Sequence, residues 1–343
     1  MTMHVAVIAA GSGTGEAGGA ERFYVGLRDA LRAAGANTEI VTVINDESSF
    51  RGIEETYLRY HDLDLSAYDG VISTKAPGYV VRHPNHVCYL QHTMRVFYDM
   101  FDVEFPNPSG ELREQRRLVQ QWDTAALQYP RTKARFVIGH EVRERLRAFN
   151  GLDSTVLYQA STMSGFSCRE FRHVLMPGRL HRWKRTDLVI RAFRHVKAPV
   201  ELLVTGTGED GDSLRELAGS DSRIRFLGRV GDERLMELYA DALAVTFVPN
   251  REDYGLVTLE AFLSGKPVIT CVDSGEPSRM VRDGVSGYVC EPDTRAIAAR
   301  IDELAGDAGL CRRMGEAGRD SVSGIRWDTV ASTLLKALGG TGP

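Results

Sequence analysis

Two glutamates, Glu252 and Glu260, stand eight residues apart in REDYGLVTLEAFLSGKPV, with Tyr254 and Gly255 between them. Acidic residues favour helix N-termini, which is reason enough for a glutamate near the start of a helix. It does not explain Glu260 inside the apolar stripe LVTLEAF, where a carboxylate needs a partner to be tolerated. A carboxylate accepts from two vicinal hydroxyls at once, so sugar rings are suitable partners. The amides of Tyr254, Gly255, Leu256 and Val257, at a helix entry, suit a phosphate. Carboxylate, amides, carboxylate is the order of parts that a nucleotide sugar would meet.

Further candidates lie in other loops. PGRLHRWKRTDL places Arg179 and Lys184 between a strand and a helix, a planar fork and a point charge that suit a diphosphate. His181, Arg182 and Arg185 make the same loop generally basic, so a solvated charge run accounts for it equally well. TGTGED adds Gly206 and Gly208 where a backbone must come close to something. Near the start, GSGTGEAGGAER contains G-x-G-x-x-G at Gly13, Gly15 and Gly18. It comes after a strand pattern and precedes a helix, the context of a phosphate-contacting turn. A dinucleotide fingerprint fits poorly. Gly11, not Gly13, ends the strand, and the only ribose-binding candidate, Asp46, lies too far along. His92 comes just after an apolar strand, at its carboxyl end, where a buried structural histidine and a cleft-facing one are both open readings. His83 and His86 read as loop residues rather than metal ligands, and the DLD of 62–64 as a solvated turn.

These residues need elements to hold them. Continuous apolar runs, each leading into helical periodicity, mark parallel strands buried on both faces. Such runs are HVAVIAAG (4–11), TEIVTVI (38–44), GVIST (70–74), HVCYLQ (86–91) and ARFVIG (134–139). The second half has its own series: HVLMPG (173–178), VELLVTG (200–206), IRFLG (224–228), ALAVTFVP (242–249), KPVITC (266–271) and GYVC (287–290). The fold class expected is α/β, two Rossmann-like doubly wound domains facing across a cleft. The first spans 1–165 with a C-terminal helix at 326–339 crossing back, and the second 173–325. Ligands of such sheets bind beyond the carboxyl ends of the strands, where the candidates above fall.

The chain has 343 residues, 43% hydrophobic and 26% charged, with 42 Lys and Arg against 46 Asp and Glu. A net charge of −4 argues against a nucleic-acid partner. Five cysteines without a C-x-x-C pair suit a reducing cytoplasm, and the first residues have no signal-peptide pattern. A cytoplasmic location is expected. Segment 110–150 holds nine Lys and Arg against five Asp and Glu. That balance leaves open both an ordinary solvated helix and a peripheral contact with the inner membrane surface.

Glu252 and Glu260 as E-x7-E, with GRLHRWKRTDLVIRAF, GGAER, FLGRVGDERLMELYADA and EPSRMVRDGVSGYVCEPD, resemble the retaining glycosyltransferases of family 4, which have the GT-B fold. The resemblance runs from Pro177 to about Asp307 and is thinner in the first half. It implies a metal-independent transfer, without cofactor, from a UDP- or GDP-sugar donor to an acceptor sugar, lipid carrier or small molecule. Arg179 and Lys184 would bind the donor diphosphate, Glu260 the ribose and Glu252 the transferred sugar. The backbone of Tyr254 to Val257 would lie beside phosphate and sugar, with Gly18 and Gly206 in donor loops and Val230 against the base. His92 and Glu252 would be the catalytic pair. Tyr254 replaces the Phe usual at its position, and its hydroxyl would tune the sugar accepted. The alternatives are another GT-B nucleotide-sugar enzyme, such as an epimerase, and an NAD-dependent oxidoreductase.

Overall fold

The structure is a computed structural model that describes residues 2–11 and 19–339, the side chains of 19–21 excepted. Contacts divide the chain into two compact units, Met1–Thr162 with Ile325–Pro343, and Met163–Gly324.

The first unit alternates strand and helix. β1 (His4–Gly11), α1 (Gly19–Ala33), β2 (Asn37–Ile44), α2 (Phe50–His61) and β3 (Gly70–Ser73) come first. β4 (His86–Leu90), α3 (Phe101–Glu104), α4 (Gly110–Leu127), β5 (Ala134–Val137), α5 (His140–Asn150) and β6 (Thr155–Val156) come next. The central strands are apolar throughout because they are buried: Val5 to Ala9 and Val87 to Leu90 expose at most 1% of their surface. All six strands form one sheet in the order β2-β1-β3-β4-β5-β6, parallel throughout. The order reverses between β1 and β3, the mark of a doubly wound sheet.

The second unit repeats the plan. β7 (His173–Pro177), α6 (Thr186–Phe193), β8 (Glu201–Thr205), α7 (Gly211–Ala218), β9 (Ile224–Gly228) and α8 (Asp232–Asp241) lead in. β10 (Ala242–Thr246), α9 (Leu256–Leu263), β11 (Val268–Cys271), α10 (Glu276–Met280), β12 (Gly287–Cys290), α11 (Thr294–Gly306) and α12 (Ala308–Val322) complete it. Its parallel sheet runs β12-β11-β10-β7-β8-β9, with the reversal between β7 and β10. The loops after β7 and β10 therefore leave neighbouring strands in diverging directions, opening a crevice at their carboxyl ends.

α13 (Trp327–Ala337) returns to the first unit. Trp327 packs on Phe23 of α1, with ring centroids 6.0 Å apart, and its Nε1 donates to the Ser161 carbonyl at 3.1 Å. A Cβ on Gly26 would lie 2.8 Å from the Trp327 ring, so α1 carries no side chain there.

The first unit also holds a closed polar cluster. Asp123 of α4 is fully buried and accepts from the hydroxyls of Tyr57 and Tyr98, both at 2.6 Å. Burial pushes its carboxyl up to about 6, against the pull of those hydroxyls. Elsewhere in the unit, Asp99 is held by Arg95 at 2.7 Å and Arg145 at 2.6 Å.

His86 corrects the sequence reading. It is the first residue of β4 and wholly buried, not a loop residue. Its Nε2 lies 2.8 Å from Ser73 Oγ, and burial pulls its pKa down to about 4. His83 does lie in the preceding loop, with Nε2 donating to the Tyr68 carbonyl at 3.0 Å.

Candidate functional site

The crevice of the second unit is built from loops fastened to one another. The loop after β7 turns at Gly178, and its Leu180 is buried, with its amide donating to the Thr207 carbonyl at 2.9 Å. The glycines of the β8 loop are explained by this contact. A Cβ on Gly206 would come within 1.9 Å of the Gly178 carbonyl oxygen, and one on Gly208 within 2.2 Å of that of Leu180. The close approach inferred from their sequence is to the chain's own backbone.

Arg185 is the main fastener. It closes the β7 loop with φ of 52°, a left-handed conformation that costs a non-glycine residue about 1–2 kcal/mol. Its guanidinium compensates with hydrogen bonds to three places. Nε donates to the Val248 carbonyl at 2.6 Å, Nη2 to that of Pro249 at 2.8 Å, and the fork grips Asp273 at 2.6 and 2.7 Å. One side chain thus ties together the loops after β7, β10 and β11. Asn250 reinforces the joint, its amide donating to the Trp183 carbonyl at 2.7 Å.

Glu252 is then set by its backbone. Its amide donates to the Ser274 carbonyl at 2.9 Å, and its carbonyl accepts from the Glu276 amide at 2.9 Å. Gly275 lies alongside with φ of 75°, where a Cβ would stand 2.5 Å from the Glu252 carbonyl oxygen. The carboxylate so placed accepts from Lys184 Nζ at 2.6 Å. Both side chains remain in contact with solvent, 27% exposed for the lysine and 22% for the glutamate. Arg179 is more exposed and pairs with Glu209 at 3.1 Å, and His181 Nε2 is 3.3 Å from the same carboxylate.

α9 starts at the same place. Gly255 is its N-cap with φ of 84°, and no side chain caps the helix. A Cβ there would meet Pro277 at 2.8 Å and Phe247 at 3.0 Å. The amides of Leu256 and Val257 occupy the first turn, where the helix dipole favours an anion. Tyr254 is 3% exposed, so its ring packs inside and its contribution to the crevice is its backbone.

Glu260 is buried to 9% exposure within α9, and Tyr239 supplies a partner that its burial requires. The hydroxyl of Tyr239, a fully buried residue of α8, donates to Glu260 Oε2 at 3.0 Å. Burial, then the carboxylate charge, pushes that phenol well above its ordinary range. Tyr239 was not singled out in the sequence. The available signal was a tyrosine hydroxyl in the apolar pattern of LMELYADA, which must find an acceptor when buried. Val230 comes two residues after β9, half-buried, and the Gly206 amide ties its loop to the Gly228 carbonyl at 2.7 Å.

Two candidates lie elsewhere. His92, in the first unit, comes two residues after β4, half-buried. Its Nδ1 lies 2.9 Å from the Thr93 carbonyl, an acceptor, so that nitrogen carries the proton. Gly18, with Gly13 and Gly15, lies outside the described residues.

The second unit matches a known family: residues 169–321 fit the model of the glycosyl transferases group 1. The chain is 33% identical over 178 residues to D-inositol 3-phosphate glycosyltransferase of Nocardia farcinica, 48% of this chain and 39% of that one. It is also 33% identical over 145 residues to N-acetyl-alpha-D-glucosaminyl L-malate synthase of Bacillus anthracis, 40% of this chain and 37% of that one. The chain thus spans about two fifths of the length of these curated relatives. Solved structures match along almost the whole chain. Sucrose-phosphate synthase of Thermosynechococcus elongatus superposes with a TM-score of 0.78 at 18% identity, covering 97% of this chain and 98% of that one. Anabaena HepE, in complex with UDP and glucose, gives 0.71 at 16%, covering 98% and 99%. At such identities the likeness is one of fold. The second unit is thus similar to the glycosyl transferases group 1, and the two-unit α/β architecture is that of the GT-B fold.

Proposed function

We propose that the protein is a retaining, metal-independent glycosyltransferase that moves a sugar from a nucleoside diphosphate to an acceptor hydroxyl. The observation that carries this reading is the Lys184–Glu252 pair, 2.6 Å apart, at the mouth of an uncapped α9 that holds Glu260. A lysine has three donors and Glu252 takes one, so the others remain for phosphate oxygens. Glu252 keeps acceptor capacity for hydroxyls of the transferred sugar, and Glu260 accepts from the ribose. As the bond from the anomeric carbon to the diphosphate oxygen breaks, negative charge grows on that oxygen. Lys184, Arg179 and the amides of Leu256 and Val257 stabilise it. The acceptor oxygen attacks the same face of the sugar, and its proton passes to the departing phosphate. The first unit, 1–165, is assigned the acceptor and the second, 173–325, the donor, and His92 is assigned a catalytic role alongside Glu252.

Thermal unfolding against UDP-, GDP-, ADP- and dTDP-sugars, with NAD(H) as a control, tests the donor site. A bound donor at ~100 times its dissociation constant adds about 2.7 kcal/mol of stability. One nucleotide class should stabilise the protein, and Glu260→Ala should abolish the effect. UDP-sugars come first in the panel, since HepE of the same fold is complexed with UDP and glucose. Stabilisation by NAD(H) alone would overturn the reading. An inverted anomeric configuration in the product, seen by NMR, would remove the retaining mechanism.

A further inference from the structure

At the opposite end of the second unit's sheet, where the strands begin, a cavity of about 220 Å³ is lined by Cys168, Arg169, Gly265, Arg312, Glu316 and Arg319. Its walls are the segment leading into β7, the turn between α9 and β11, and one face of α12. The spacing 312, 316, 319 puts those three side chains on a single helical face. α12 approaches unusually closely because of two glycines: a Cβ on Gly315 would lie 1.9 Å from the Gly265 carbonyl oxygen, and one on Gly318 would lie 2.4 Å from the Phe262 ring. The backbone of α12 is thereby held close against α9 and the turn that follows it.

The charges around this cavity do not cancel. Arg169 is neutralised by a two-pronged pair with Asp241, at 3.0 Å on each side. Arg312 and Arg319 have no carboxylate within ion-pair distance among the described residues, and Glu316 bonds to neither. Behind them Lys266 is fully buried, its Nζ donating to the Glu170 carbonyl at 2.6 Å and lying 4.1 Å from the centre of the Phe171 ring. Burial pulls the pKa of this ammonium below the usual lysine range. The end of α9 contributes about half a negative charge. Three cations against one carboxylate and that half charge leave a surplus of roughly 1.5 positive charges. Lys266 is buried, whereas Arg312, Glu316 and Arg319 are exposed, so the surplus meets solvent at the cavity, where an anion can replace water on the two guanidinium groups.

We propose that this cavity is a binding site for a phosphate group, held by Arg312 and Arg319 with Lys266 behind. Bidentate guanidinium recognition suits a phosphate, and the volume admits a phosphate monoester with a short organic tail rather than a nucleotide. The site is separate from the crevice after β7 and β10 and does not depend on the glycosyltransferase reading.

Cys168 gives a direct readout, since it is exposed at the rim while Cys88, Cys271, Cys290 and Cys311 are buried. The rate of its alkylation by iodoacetamide would be measured in the intact protein by mass spectrometry. The probes are inorganic phosphate and glycerol 3-phosphate, with sodium chloride at matched ionic strength. An anion at ten times its dissociation constant should slow labelling about tenfold through occupancy. Arg312→Gln and Arg319→Gln should each remove most of that protection while leaving the unliganded melting temperature close to wild type. Stronger protection by glycerol 3-phosphate identifies a monoester as the ligand, and equal protection identifies the inorganic ion. Equal slowing by chloride, or protection that survives both substitutions, overturns the site. If a variant is misfolded, saturable protection of the wild-type protein by phosphate over chloride still decides it.

Discussion

Each unit buries a carboxylate against tyrosine, and the two carboxylates are finished differently. Asp123 in the first unit is sealed, fully buried with hydroxyls on both oxygens. Glu260 in the second keeps 9% of its surface in contact with solvent and lies in the first turns of a helix whose end is uncapped. Near it, Glu252 and Lys184 pair at 2.6 Å yet each keeps more than a fifth of its surface exposed. A sealed polar cluster specifies packing. A paired but accessible one, at the point where strand order reverses, lies where sheets of this kind bind ligands, which is why the proposed function places the donor there. Exposure together with topology, rather than charge, separates scaffold from site.

The largest effect expected from this distinction is at the open pair. Lys184→Met should lower kcat at saturating donor by about 10²–10³, the usual loss on removing one preorganised donor from developing negative charge. The same substitution should move the melting temperature little, because partly exposed ion pairs contribute little to stability. Steady-state kinetics beside a thermal melt would check both. A variant with full kcat would make the pair scaffold and erase the difference between the units.

Next in size is the pH response of the sealed cluster. The Asp123 carboxyl is raised from 3.8 to about 6, so folding favours its protonated form. Its contribution is complete below about pH 3.8 and is lost as pH rises through about 6, by roughly 3 kcal/mol in all. Asp123→Asn stays neutral throughout. Between pH 4 and 7 the variant should therefore gain stability relative to wild type, read as the difference between their urea unfolding midpoints. Parallel curves would mean that Asp123 is ionised in the folded state at all these pH values.

Much of this frame was legible in the sequence, and the limits were physical. Strands buried on both faces are continuous apolar runs, so HVAVIAAG or VELLVTG could be placed within a residue or two. The loops after β7 and β10 came with them, and Lys184, Glu252 and Glu260 could be placed in or beside those loops. Partners distant in sequence were not legible. Tyr57 and Asp123 are 66 residues apart, and Arg185 and Asp273 are 88 apart. Arg185 read as one more cation in a basic loop, although it holds three loops together. Gly206 and Gly208 were legible as points of close approach, but local sequence could not say that the neighbours were Gly178 and Leu180. His86 lost its place to proximity with a proline in VRHPNHV, while the apolar run beginning at the same residue carried the truer signal.

The smallest effect gives the sharpest test, because the same hydrogen bond recurs in both units. Tyr57→Phe and Tyr239→Phe each delete one hydroxyl facing a carboxylate, and each should cost about 1–3 kcal/mol of stability for the partner left short of a donor. Their effects on binding should differ. Asp123 has no access to a ligand, so Tyr57→Phe should leave donor affinity unchanged. Glu260 loses the bond that orients its Oε2, so Tyr239→Phe should weaken donor binding about tenfold, equivalent to about 1.4 kcal/mol. Isothermal titration with the stabilising nucleotide sugar would compare them on equal terms. If both variants bind the donor as wild type does, Tyr239 serves packing alone, and Glu260 does not depend on it to meet the ribose. If only Tyr239→Phe loses affinity, a buried tyrosine in α8 determines how the donor is held without touching it.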